Sequence, residues 1–189
     1  MNWIAFAAAA WLCFGLELGL KSALSLGGGA TGAGQVAPSF VIPLAVFIAL
    51  SAPALHTLWA CLLLGLVMDL TWIREQMVVG PWALGFLLAG YLTLNVRGLM
   101  IGRNPVTMTV MSIAFAAVAA LVVVAITMVR SWLYGAAAPA GPPGADLAVR
   151  LGSALYTGAA GLVMFFLLAA AAGMFRFQPA THRGWGASG

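Results

Sequence analysis

Long apolar runs, separated by short clusters of charge or of glycine and proline, make up most of this chain. The runs are continuous rather than alternating, which favours helices over strands. A hydrocarbon core of about 30 Å requires roughly 20 helical residues. Six runs approach that length: residues 3–20, 40–55, 56–72, 81–96, 106–129 and 147–175. The pattern therefore predicts an all-α, polytopic integral membrane bundle of six transmembrane helices.

Composition strengthens this prediction. Of 189 residues, 63% are of hydrophobic types and 6% are charged, whereas a soluble domain carries roughly a quarter charged residues. We expect a single transmembrane domain over residues 1–177 and a short disordered cytoplasmic tail over 178–189. No Lys or Arg precedes Lys21, so the first run is expected to be retained rather than cleaved as a signal peptide.

The charges leave the orientation in the membrane undecided. If the amino terminus is cytoplasmic, four cations fall inside, namely Arg97, Arg103, Arg176 and Arg183. Four also fall outside, namely Lys21, Arg74, Arg130 and Arg150, so the positive-inside rule is tied. Because the span count is even and the acids Glu17, Glu75 and Asp146 gather on the opposite side, we predict that both termini are cytoplasmic.

Small residues recur at every fourth position in three of the runs, and each stripe ends in charge. The stripes are Ala5, Ala9, Cys13, Glu17 and Lys21; Thr57, Cys61, Gly65 and Asp69; and Pro81, Gly85, Ala89, Thr93 and Arg97. In lipid, helices associate through close approach of small residues and through polar contacts. The stripes therefore either pack the bundle against itself or form a partner surface, with Gly85, Ala89, Thr93 and Gly65 as its candidates.

Asp69 is the most informative single residue. A carboxylate on a span is unfavourable in lipid and usually faces the bundle interior or marks a pathway. We expect Asp69 to face neighbouring helices and to support Arg74 or a backbone amide at the start of the next connection. A functional role is the open alternative. Glu17 precedes Lys21 by four residues, which predicts a structural ion pair.

Motifs for chemistry are missing from the sequence. It contains no phosphate-binding loop, no metal-spaced His or Cys cluster, and no plausible set of Ser, His and acid. We therefore expect a protein that is not an enzyme and uses no cofactor, metal, nucleic acid or small-molecule substrate. Cys13 and Cys61 lie inside apolar runs, where a thiol acts as a small hydrophobe.

Two segments carry a family resemblance. One helix ends on Gly65-Leu-Val-Met-Asp69, and the next opens on Gly80-Pro-Trp and closes on Gly90-Tyr91. This arrangement resembles the bacterial rod-shape-determining membrane protein family MreD. The resemblance implies a non-catalytic inner-membrane component of the cell-elongation machinery. It also implies binding to the bitopic protein MreC and, through it, support of the RodA glycosyltransferase and a penicillin-binding transpeptidase in peptidoglycan synthesis.

The stripes and the resemblance together give the candidates for helix packing or partner binding: Gly65, Asp69, Arg74, Gly80, Gly85, Ala89, Gly90, Tyr91, Thr93 and Arg97. A substrate-binding S component of an energy-coupling-factor vitamin transporter is the alternative. Ala5 and Ala9 match the Ala-x-x-x-Ala stripe with which such proteins dock their transporter. The outer loops here are rich in Gly, Ala and Pro rather than in the polar groups that a ligand pocket needs, which favours the scaffold. An orphan bundle of unknown role is the third hypothesis.

Overall fold

The computed structural model describes residues 2–26, 36–71, 79–99, 104–134 and 143–175. These residues form six α-helices and one short 3₁₀ turn, Arg97–Leu99. The helices are α1 (Trp3–Leu24), α2 (Val41–Ser51), α3 (Ala54–Thr71), α4 (Pro81–Val96), α5 (Pro105–Tyr134) and α6 (Pro143–Phe175). The predicted all-α membrane bundle is confirmed.

Four of the described helices, α1, α3, α5 and α6, are long and apolar enough to cross a membrane. The other two are shorter: α2 has 11 residues and α4 has 16. At 1.5 Å per residue, α2 measures only about 16 Å, roughly half of the hydrocarbon core. It therefore differs from the full-length second span expected over residues 40–55.

The break after α2 has a local cause. Pro53 disfavours a helical conformation at the residue before it, and Ala52 is extended, with ψ of 161°. The next helix begins at once, at Ala54, two residues earlier than expected. By contrast, α5 and α6 extend beyond the runs that predicted them. Arg130 and Asp146 limit those runs, but neither residue interrupts the helical backbone.

α2 is the centre of the bundle, and it packs against all five other helices. Its residues from Val41 to Ala49 are all buried. Around it, consecutive helices form the most extensive contacts: α3 with α4, α4 with α5, and α5 with α6. α1 is peripheral and packs mainly on α2 and α6.

One end of the bundle carries both the start of α1 and the end of α6. The amide of Asn2 donates to the carbonyl oxygen of Phe175 at 3.1 Å. The Trp3 ring stacks on His56, at the start of α3, with centroids 6.0 Å apart. We call this end the terminal face.

Glycines bring α3, α4 and α5 into close contact. A Cβ atom built at Gly65 would lie 2.7 Å from the Cα atom of Ala83, in the first turn of α4. One built at Gly85 would lie 3.1 Å from the carbonyl oxygen of Ala119 on α5. A side chain at either position would meet backbone, so the helix spacing depends on these two glycines.

Candidate functional site

Each of the three stripes contributes one charged residue that caps a short helix. Glu17 reaches the amino terminus of α2, Asp69 reaches the amino terminus of α4, and Arg97 reaches the carboxyl terminus of α2. The two short helices are thus capped by charges from other elements. Each charge has the sign that the helix dipole favours at that end.

Asp69 caps α4. Its carboxylate accepts hydrogen bonds from the backbone amides of Gly80 at 2.9 Å, Trp82 at 3.1 Å and Ala83 at 3.0 Å. Pro81, the first helical residue, has no amide hydrogen to satisfy. The amide of Leu84 donates to the Gly80 carbonyl at 2.9 Å. All of the first-turn donors of α4 therefore have acceptors.

Gly80 explains why the cap comes from another helix. It occupies the N-cap position of α4 with φ of 139° and no side-chain cap. Residues with a Cβ rarely adopt this conformation, so the usual capping residues Ser, Thr and Asp are disfavoured there. Asp69, with 8% of its surface exposed, supplies the missing oxygen atoms from the end of α3. Arg74, its other expected partner, lies outside the described residues.

Glu17 caps α2 in the same way. Its Oε2 atom accepts from the Ser39 hydroxyl at 2.9 Å and from the amides of Phe40 at 3.1 Å and Val41 at 3.3 Å. Glu17 is buried, with 4% of its surface exposed. It stands seven residues before Leu24, the last residue of α1, a distance of about 10 Å along the helix. The amino terminus of α2 therefore lies below the end of α1, inside the bundle.

The sequence predicts a structural ion pair between Glu17 and Lys21, and in the structure the Glu17 carboxylate caps α2. The groups that donate to it belong to Ser39, Phe40 and Val41, which lie 22 to 24 residues further along the chain. The side chain of Lys21 lies outside the described part of the chain. The structural role predicted for Glu17 is therefore a helix cap, a role that sequence spacing alone does not indicate.

Residues 36–40 reach α2 without forming a helix, and side chains of α6 accept hydrogen bonds from two of their amides. The Ala37 amide donates to the Ser153 hydroxyl at 3.3 Å, and the Ser39 amide donates to Thr157 Oγ1 at 3.0 Å. Two residues of extended chain match one turn of α6 in length. Pro38, between them, has no amide to satisfy. Irregular backbone inside a bilayer is tolerated only when protein satisfies it in this way.

Arg97 holds the other end of α2. Its guanidinium donates to the carbonyl oxygens of Ala49 at 3.2 Å and Ala52 at 2.7 Å. The last carbonyls of a helix have no partner within it and carry partial negative charge. α2 is therefore held by an anion at its amino end and a cation at its carboxyl end.

The remaining stripe candidates lie inside the bundle. Gly65, Gly85, Ala89 and Thr93 are all buried between helices of this chain, and the Thr93 hydroxyl donates to the Ala89 carbonyl at 2.8 Å. This burial supports the packing alternative that the sequence left open: these residues pack α3, α4 and α5 against one another.

Gly90 and Tyr91 complete the candidates on α4, and they differ from each other. A Cβ atom at Gly90 would lie 2.6 Å from the sulfur of Cys61, so Gly90 is another position of close packing. Tyr91 is 53% exposed. Of the candidates at the end of the motif, Tyr91 is the one on the outer surface of the bundle.

Sequence reasoning missed Ser39, Ser153 and Thr157. The four-residue spacing of Ser153 and Thr157 on one face of α6 was a usable signal, as was the helix-breaking pair Pro38 and Ser39 before the second run. Within the described residues, no three side chains of His, Cys, Asp or Glu form a group that could hold a metal ion.

Comparisons of the chain with protein-family models, with curated proteins and with solved structures give no match.

Proposed function

We propose that this chain is a non-catalytic membrane component of the bacterial cell-elongation machinery. In this role it binds the bitopic protein MreC and, through it, supports the RodA glycosyltransferase and a penicillin-binding transpeptidase. It acts in the inner membrane as a multi-pass scaffold within the lipid bilayer.

The observation that carries this proposal is the contact between the two halves of the MreD-like motif. Asp69, which closes the first half, accepts hydrogen bonds from Gly80 and Trp82, which open the second half. Gly65 in the first half packs directly on Ala83 in the second. The residues of the resemblance thus form one structural unit, which is what a shared motif requires. The exposed Tyr91 at its end offers an aromatic side chain to a partner helix.

Depletion and co-purification test the proposal. In the native host, depletion of the chain is expected to turn rod-shaped cells round. MreC is expected to co-purify with the tagged chain in mild detergent. Tyr91→Ala should lower the MreC yield several-fold at unchanged membrane abundance, because interface aromatics carry much of the binding energy. Leu162→Ala, at a 44% exposed position on α6, is the matched control.

Unchanged cell shape together with absence of MreC from the purified protein would overturn the proposal. Co-purification of transporter ATPases instead would favour the vitamin-transporter alternative. Retention of MreC by Tyr91→Ala at the parental level would move the contact away from Tyr91 and leave the scaffold role in place.

We further propose that the terminal face is cytoplasmic. The acids Glu17, Glu75 and Asp146 and the segment 135–144, which is rich in glycine and proline, then lie outside. Single cysteines at Ala138 and Ser188 can be probed in intact cells with a membrane-impermeant thiol reagent. We expect labelling at position 138 and none at 188. The native Cys13 and Cys61 are buried, which keeps the background low, and the reverse labelling pattern would invert the orientation.

A further inference from the structure

The connections of α2 set it apart from the four helices that follow it. α3, α4, α5 and α6 pack in chain order, each on the next, through contacts that do not involve α2. Gly65 and Gly90 join α3 to α4, and Gly85 joins α4 to α5. These contacts can form as each hairpin enters the membrane, because consecutive antiparallel helices are neighbours in space.

α2 also packs on α3, the next helix in the chain, but the polar groups at its two ends depend on more distant elements. It is too short to cross the hydrocarbon core alone, and the segment before it is not helical. The amides of Ala37 and Ser39 find their acceptors on α6, the last of the described helices. The carbonyls of Ala49 and Ala52 find a cation only at the end of α4. Unpaired backbone groups are strongly disfavoured in lipid.

We propose that α2 packs and unpacks independently of the other helices: it enters the bundle last, after α6 is in place, and it leaves first, while α3 to α6 stay packed. We call α2 seated when it is packed in the bundle. Four polar side chains hold the two ends of α2 and the segment before it through hydrogen bonds, and we call them the latches. They are Glu17, Arg97, Ser153 and Thr157. Apart from the Thr57 hydroxyl, which donates to the Ile48 carbonyl at 3.4 Å, the remaining described contacts of α2 are apolar, and in lipid they give little preference for a protein neighbour over a lipid chain. The latches therefore determine whether α2 is seated.

Two reporter cysteines distinguish seating of α2 from unfolding of the whole bundle. The first is Ala45→Cys, fully buried in the middle of α2, in a chain that also carries Cys13→Ala and Cys61→Ala. The second is the native Cys61, fully buried where α3 meets α4, in a chain with Cys13→Ala. Each full-length protein is reconstituted in lipid vesicles and treated with a small water-soluble maleimide.

The latches are opened by Ser153→Ala combined with Thr157→Val, and separately by Arg97→Gln. Labelling at position 45 is expected to rise about ten-fold or more in both variants, because buried backbone groups lose their partners and local opening becomes easier. Labelling of Cys61 should stay at the parental level. The matched control is Thr109→Val, which makes the same chemical change at a hydroxyl that bonds only within α5, and both reporters should remain protected in it.

Two outcomes would overturn the proposal. A parallel rise at positions 45 and 61 would show that the bundle opens as one cooperative unit. Continued protection of position 45 in both latch variants would show that apolar packing alone holds α2.

Discussion

Gly65→Leu is expected to abolish the folded bundle. A Cβ atom at this position would lie 2.7 Å from both the Cα atom of Ala83 and the carbonyl oxygen of Trp82. These are backbone atoms in the first turn of α4, so no side-chain rotation relieves the overlap. Moving α4 away would also strain the hydrogen bonds of Asp69, which hold that same turn. Membrane abundance and the monodisperse fraction in mild detergent both measure the loss.

Gly65→Ala is expected to cause a smaller loss of stability at the same contact. Overpacking by a single methyl group typically costs about 1–3 kcal/mol, so this variant should fold but lose its native elution profile at a lower temperature than the parent. Gly15→Leu is the matched control, because Gly15 lies on α1 with no atom within 4 Å of its built Cβ. Normal accumulation and thermal stability of Gly65→Leu would show that α3 and α4 are not in contact at this point.

The sequence located α4 better than α2, for a local reason. Gly80 and Pro81 mark the start of α4, and the helix begins where they predict. The second run offered apolar residues from 40 to 55, and hydrophobicity alone does not distinguish a full span from a short helix buried on all sides. The limits of the short helix are marked by Pro38 and Pro53, the helix-breaking residues on the two sides of α2.

The stripes show what spacing can and cannot predict. Four-residue spacing correctly placed Gly65 with Asp69 and Gly85 with Ala89 on buried helix faces. It did not say what those faces meet, because internal packing and partner binding use the same small residues. Only the tertiary arrangement shows that they meet other helices of the same chain.

The charges show a similar limit. An acid four residues before a lysine predicts a local ion pair, but this spacing does not predict the hydrogen bonds that Glu17 accepts from Ser39 and Phe40, on the segment leading into α2. Arg97 lies 45 and 48 residues from the carbonyls that it contacts. Helix termini that lack local caps take their partners from wherever the fold brings a charge close, and one sequence does not reveal that meeting point.

Asp69→Ala is expected to lower the free energy of unfolding by about 3 kcal/mol or more, because three amides at the start of α4 lose their acceptor and a buried unpaired donor costs roughly 1–3 kcal/mol. Gly80 has no side chain to replace the lost oxygen atoms. Asp69→Asn should fall between the parent and the alanine variant. It keeps one acceptor oxygen, but its amide group would face a backbone donor.

The midpoint of thermal unfolding in detergent measures this series, and the expected order of stability is parent, Asp69→Asn, Asp69→Ala. Asn95→Ala is the matched control on α4, because Asn95 is exposed and bonds only to the Tyr91 carbonyl of its own helix. It should change stability by no more than about 0.5 kcal/mol. Equal midpoints for Asp69→Ala and Asn95→Ala would mean that the cap contributes nothing, and that packing of Gly65 against Ala83 alone fixes the start of α4.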